Sequence, residues 1–161
     1  TTTRAVNVKA EFIRPRHQNL REWMKDPNNV FVGRNGRIFI DKAIFCYPGS
    51  MWANPFKISK TMSRKTAVEK YEVYIRNKIE QEGLQKDLLA LKGKALGCWC
   101  KPEACHSDVL VKLVEEYSQR NSEVFLLPRL AKYFLSKYFL SFLVSARRRF
   151  VIHKQFMCPL T

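Results

Sequence analysis

Three thiols and one imidazole crowd into nine residues: Cys98, Cys100, Cys105 and His106, spaced C-x-C-x4-C-H. Thiolate and imidazole are ligands that zinc favours, and four of them fill its tetrahedral shell. The set Cys98, Cys100, Cys105 and His106 is therefore a candidate metal site, with zinc the candidate cofactor. The spacing is not one of the common finger spacings. Two consecutive residues reach one ion with difficulty, especially in a helix, so Cys98, Cys100 and Cys105 are the expected trio. A second chemistry is nucleophilic. Cys105 falls near a helix N-terminus, where the dipole and the neighbouring His106 and Lys101 favour a thiolate. That makes Cys105, His106 and Asp108 the catalytic candidates, although sequence neighbours rarely form a working thiol–base pair. A third chemistry is anion binding at the strand–loop–helix junction. Arg34, Arg37 and Asn54 lie in loops able to meet it, and Trp52 or Trp99 could stack on a base. The plainest alternative makes Cys98 and Cys100 small buried hydrophobes on a central strand, with Trp99 on its other face.

Positioning these residues requires a strand over Lys94–Cys100, a Pro-containing loop, and a helix over Pro102–Tyr117. Val109, Leu110, Leu113, Val114 and Tyr117 give that helix its apolar stripe. Upstream, Ser63 is the expected N-cap of a helix whose Val68, Tyr71, Ile75 and Ile79 recur at three and four. Gly83 ends it, and a short helix over Leu84–Leu91 is closed by Gly93. The run from Val30 to Ile40 holds two apolar stretches around Arg34-Asn35-Gly36-Arg37, which predicts a hairpin turning at Asn-Gly. Val6 to Ala10 alternates as an edge strand would, and His17 to Lys25 suits a short helix. Tyr47, Trp52 and Phe56, in a Pro- and Gly-rich loop, need burial or a ligand to stack on. The order of elements implies an α/β fold, a small sheet with packed helices. The expected organisation is a basic N-terminal arm (1–27), a core domain (28–120) and a helical hydrophobic and basic extension (121–161).

The chain has 161 residues and a formal net charge of +15, from 29 Lys and Arg against 14 Asp and Glu. Such an excess points to a polyanionic partner, RNA above all. Six of the basic residues lie in the first 27 positions and seven lie from Asn121 onward. The expected phosphate contacts are Arg4, Arg14, Arg16, Arg34, Arg37, Arg147, Arg148, Arg149 and Lys154. Lys132-Tyr-Phe-Leu-Ser is repeated at once as Lys137-Tyr-Phe-Leu-Ser. Arg129, Lys132 and Lys137, within the otherwise apolar run from Leu126 to Val144, argue against a membrane span and for a helix docked on a protein through 124–146. An odd number of cysteines, three of them crowded, suits a reducing intracellular compartment, the mitochondrial matrix included. Thr1-Thr-Thr-Arg4 opens without the apolar segment of a signal peptide.

Several stretches carry a family resemblance: Val32-Gly33-Arg34, Trp52-Ala-Asn-Pro-Phe56, Ser63-Arg64 and Tyr71. The strongest is Leu91-Lys-Gly-Lys-Ala-Leu-Gly-Cys-Trp-Cys-Lys-Pro-Glu-Ala-Cys-His-Ser-Asp108. From about Val30 to Tyr117 the chain resembles the family catalogued as domain of unknown function 4326, found in bacteria, phages, large DNA viruses and some eukaryotes. The chain departs from it at Ala53 and Ser107, where the family usually has Gly. The resemblance implies Gly33, Arg34, Asn54, Cys98, Cys100, Cys105, His106 and Asp108 as the family's site, and it names no reaction. The expected role is an RNA-associated, non-catalytic subunit of a large ribonucleoprotein, such as an organellar ribosome with rRNA as ligand. The alternatives are a nucleotide- or zinc-dependent enzyme or binding module at the Cys-His loop, and a virion-associated structural protein.

Overall fold

The computed structural model describes residues 2–122. Arg147, Arg148, Arg149, Lys154, the 124–146 docking segment and the tail helix lie outside the described residues. The described residues up to Gln119 form one compact unit. In order, the elements are β1 (Arg4–Asn7), α1 (Ala10–Ile13), α2 (Leu20–Trp23), β2 (Asn29–Phe31), β3 (Gly36–Ile40), β4 (Ala43–Tyr47), α3 (Arg64–Glu82), α4 (Gln85–Leu89) and β5 (Ala95–Cys98). A final helix, α5, occupies 106–122. The fold is α/β. No helix among the described residues is long and apolar enough to cross a membrane.

The organising element is β5, whose four residues are all buried. It lies between β1 and β2 and runs parallel to both, in the order β1-β5-β2. Arg4 stands opposite Ala95 and Val6 opposite Gly97 on one side. On the other side, Asn29 faces Ala95 and Phe31 faces Gly97. A parallel strand covered on both faces is expected to be apolar throughout, as Ala-Leu-Gly-Cys is. Period-two alternation then sorts its side chains. Leu96 and Cys98 join the core formed with α3, α4 and α5, around Tyr71, Ile75, Ile79, Leu88 and Leu110. Ala95 joins a second core made by Val8, Ile13, Leu20, Trp23 and Phe31. Gly97 faces this second core, because a Cβ there would run into Trp23 and Val8.

Local chemistry sets the helix ends. The Ser63 hydroxyl accepts from the Thr66 N–H at 3.1 Å, capping α3. Gly83 ends that helix at φ 67°, a left-handed turn that glycine adopts without strain. Ala67, Tyr71, Ile75 and Ile79 are its buried stripe. Arg76 ties α3 to α5, reaching Glu72 at 2.7 Å and Glu116 at 2.8 Å.

Two expectations change. The hairpin pairs β3 with β4, not β2 with β3. It turns at Asp41 and Lys42, with φ of 50° and 64°, the two positive values a tight hairpin turn requires. The stretch Asn29–Phe31 is instead taken by the parallel sheet. At Gly36 a Cβ would collide with the Tyr47 ring, so that glycine serves close packing and not the turn. The N-terminal stretch expected as an arm is woven into that compact unit, through β1, Val8 and Trp23.

Candidate metal centre

Strand β5 delivers Cys98 into the α3–α5 core, and two residues later Cys100 packs against the same core. The chain then loops back so that α5 starts at 106, with Cys105 immediately before it. The Cys105 N–H donates to Asp108 Oδ2 at 3.2 Å, and Asp108 Oδ1 pairs with Lys101 Nζ at 2.5 Å. An acidic residue three positions into a helix, accepting from the N-cap N–H, is half of a capping box. Asp108 thus fixes where the helix begins and is not among the atoms that converge.

Those atoms are the Cys98 and Cys105 sulfurs and His106 Nδ1. The first lies 3.7 Å and the second 3.6 Å from Nδ1, and Cys100 Sγ is 3.6 Å from Cys98 Sγ. His106 Nε2 is 2.8 Å from the Val32 carbonyl oxygen. A carbonyl only accepts, so Nε2 carries the proton and Nδ1 turns its lone pair to the sulfurs. Tyr71 packs edge-on against the imidazole at 5.2 Å, and its hydroxyl donates to the Trp52 carbonyl at 2.7 Å. The side chain of His106 is thereby held on two sides, and the residue is only 6% exposed. Cys98, Cys105 and His106, with ligand atoms all within 4.8 Å of one another, could hold a metal ion.

The thiols differ in charge. Hydrogen bonds from Cys100 and Cys98, with a smaller contribution from the Ser107 N–H, bring Cys105 down to about 3 against the opposing effect of burial. Cys98 is pushed far up by sharing with Cys100 and Cys105 and by burial. Burial lowers His106, keeping the imidazole neutral, and the nearby Arg34 guanidinium acts in the same direction. The set thus holds a ready thiolate in Cys105, a protonated thiol in Cys98 and a neutral nitrogen in His106.

The adjacency of Cys105 and His106, which counted against a shared ion, is no obstacle. Cys105 lies outside the helix and His106 opens it, so their side chains are free to converge. The compact trio is Cys98, Cys105 and His106, not Cys98, Cys100 and Cys105. Cys46, Cys98, Cys100 and Cys105 are all free thiols.

A cleft of about 470 Å³ opens over the cluster, past the carboxyl ends of β2 and β5, where parallel sheets commonly bind ligands. Arg34 and Asn54 line it, as the sequence suggested, together with Lys57, Arg64 and Phe56. Asn54 is occupied: its carbonyl oxygen accepts from the Phe56 N–H at 2.8 Å and its amide donates to the Ala67 carbonyl at 3.2 Å. It pins the loop to α3. Trp52 is buried beneath that loop and does not reach the cleft. Arg37 is exposed on β3, away from the lining. Arg4, Arg14 and Arg16 gather around a separate hollow of about 370 Å³. Lys57 and the Val32 carbonyl escaped sequence reasoning. The lysine sits in no motif, and a backbone oxygen has no side-chain signature.

Comparison with known proteins follows this geometry. The family model described as domain of unknown function (DUF4326) matches residues 15–116, a longer stretch than the motifs alone marked out. Uncharacterized protein R718 of Acanthamoeba polyphaga mimivirus is 37% identical over 100 residues, which cover 55% of this chain and 71% of the relative. An uncharacterized 12.4 kDa protein from the nrdA-td intergenic region of Enterobacteria phage T4 is 31% identical over 102 residues, covering 60% of this chain and 94% of the relative. No solved structure matches.

Proposed function

This chain belongs to the DUF4326 family, and from that premise we propose that its domain is a zinc-pinned binding module for a polyanionic ligand. The observation that carries the zinc assignment is spacing. Tetrahedral zinc, with bonds of about 2.3 Å to sulfur and about 2.0 Å to nitrogen, sets sulfurs roughly 3.8 Å apart and sulfur and nitrogen roughly 3.5 Å apart. The observed separations are 3.6 Å for Cys98–Cys100, 3.7 Å for Cys98–His106 and 3.6 Å for Cys105–His106. The Val32 carbonyl acts as the outer partner that orients a ligating imidazole. Cys98, Cys100, Cys105 and His106 together would fill the shell and leave zinc no position for water. A closed site of that kind holds structure and does not activate a nucleophile. It would clamp the end of β5 to the start of α5.

Zinc removal tests this. The purified, reduced protein is expected to carry one zinc per chain. A chelator is expected to lower its melting temperature by on the order of 10 °C or more. Metal analysis finding no zinc, with melting unmoved by chelation, would overturn the assignment.

RNA is the polyanion that the charge favours, and the grouping of Arg4, Arg14 and Arg16 around one hollow is the observation that adds to it. RNA affinity is then expected to fall by at least about tenfold between 50 and 200 mM salt. Binding that stays flat across that range would remove RNA from consideration.

A further inference from the structure

The cleft above the cluster is lined by three cations, Arg34, Lys57 and Arg64, and by no carboxylate. Arg64 is already engaged, its Nε 2.5 Å from Glu103. Arg34 and Lys57 form no ion pair with a carboxylate among the described residues, so two positive charges face a hollow whose one negative group is the Cys105 thiolate at its floor. Tyr47, Phe56 and Trp99 bring aromatic surface to the other walls. The first two rings are held in place: Tyr47 meets Phe31 edge-on at 5.2 Å, and Phe56 meets Tyr74 edge-on at 6.0 Å. Asn54 fixes the loop between Trp52 and Phe56 to α3, so the wall is set before any ligand arrives. The volume, about 470 Å³, is in the range of small-molecule sites.

We propose that this cleft binds a nucleoside phosphate, with Arg34 and Lys57 on the phosphate and the Tyr47 and Phe56 rings beside the base. The proposal rests on the reading of the domain as a polyanion-binding module and names the ligand class of that site. Two cations on one wall favour an anionic group on the ligand. Aromatic walls favour a flat apolar part on the same molecule, because base–aromatic contact gains where a bare anion gains nothing. One chemistry satisfies both, whether it arrives as a free mononucleotide or as the end of an RNA strand.

The test is calorimetric titration of the full zinc-loaded chain with AMP, GMP, CMP, UMP, a short oligoribonucleotide and inorganic phosphate. At least one nucleotide-bearing probe is expected to bind, and to bind at least tenfold more tightly than phosphate. Arg34→Gln and Lys57→Gln are each expected to weaken it by about tenfold, as loss of a charge-assisted contact does, with zinc content unchanged. Mononucleotides binding as well as the oligomer assigns the free ligand. The oligomer alone binding, with the same dependence on both cations, assigns the strand end. Phosphate matching the nucleotides, or no probe binding, overturns the proposal. So does an Arg34→Gln chain that loses zinc yet binds nucleotide normally, since Arg34 would then be a counter-charge to the thiolates. A chain that binds AMP without holding zinc keeps this proposal and removes the zinc assignment. A chain with one zinc and no ligand does the reverse.

Discussion

Replacing His106 with alanine is expected to abolish the zinc binding proposed above and to cost the fold about 3–5 kcal/mol. Two losses add. The Nδ1 ligand disappears from a set in which it lies 3.6 and 3.7 Å from the Cys105 and Cys98 sulfurs. The Nε2–H donor to the buried Val32 carbonyl disappears with it, leaving that oxygen without its partner. A cavity opens beside Tyr71 where the ring stood. Zinc content and urea denaturation measure the two consequences separately. Cys46→Ala is the control, since Cys46 is an exposed thiol outside the cluster. It should stay within about 0.5 kcal/mol of the parent. A His106→Ala chain that keeps one zinc and the parental midpoint would show that the imidazole is neither ligand nor anchor.

The second large effect belongs to Gly97. A Cβ built there lies 2.5 Å from Val8 Cγ1 and 2.8 Å from Trp23 Cζ3, and closer still to Trp23 Cη2. Neither neighbour gives way cheaply, because both are buried in the core between β5 and α2. Gly97→Val is expected to destabilise by about 3 kcal/mol or more, and Gly97→Ala by about 1–3 kcal/mol. Combining Gly97→Ala with Trp23→Leu should restore part of the loss, because space removed at one partner is returned at the other. Urea midpoints of the two single variants and the double variant give the coupling directly. Strictly additive losses would mean that the tryptophan does not set the requirement for glycine.

How far the sequence reveals this molecule depends on whether a signal is local. The α3 stripe of Tyr71, Ile75 and Ile79, the Ser63 cap and the Gly83 stop are all written within one helix, and the structure reproduces them. The same holds for the alternation that sends Cys98 one way and Trp99 the other. Partner choice is another matter. Val30 and Phe31 read as one arm of a hairpin because Asn35-Gly36 follows. Their real partners, Leu96 and Gly97, lie far along the chain. The actual turn sits on Asp41-Lys42, where no glycine marks the positive φ. Charge misled in the N-terminal stretch, since Arg4, Lys9, Arg14 and Arg16 surround the very residues, Val6, Val8 and Ile13, that enter the core. At the site, the candidate ligands Cys98, Cys100, Cys105 and His106 were plain from their types. Their convergence was not, because it depends on α5 starting one residue after Cys105 and on a backbone carbonyl from β2's far end.

Strand β5 is the middle of the sheet in space and the last of its three strands in sequence. During synthesis, β1 and β2 leave the ribosome with no strand between them. At about 5–20 residues per second, Ala95 follows Phe31 after an interval on the order of 3–13 s. Throughout that interval Val6, Val8 and Phe31 have no β5 to close the sheet over them, and two strand edges stand open to any passing partner. The nascent protein therefore has to be shielded, or simply outpace aggregation, until its Cys-rich strand emerges. A chain stalled before Ala95 would be a client for chaperones and proteases rather than a partly working domain.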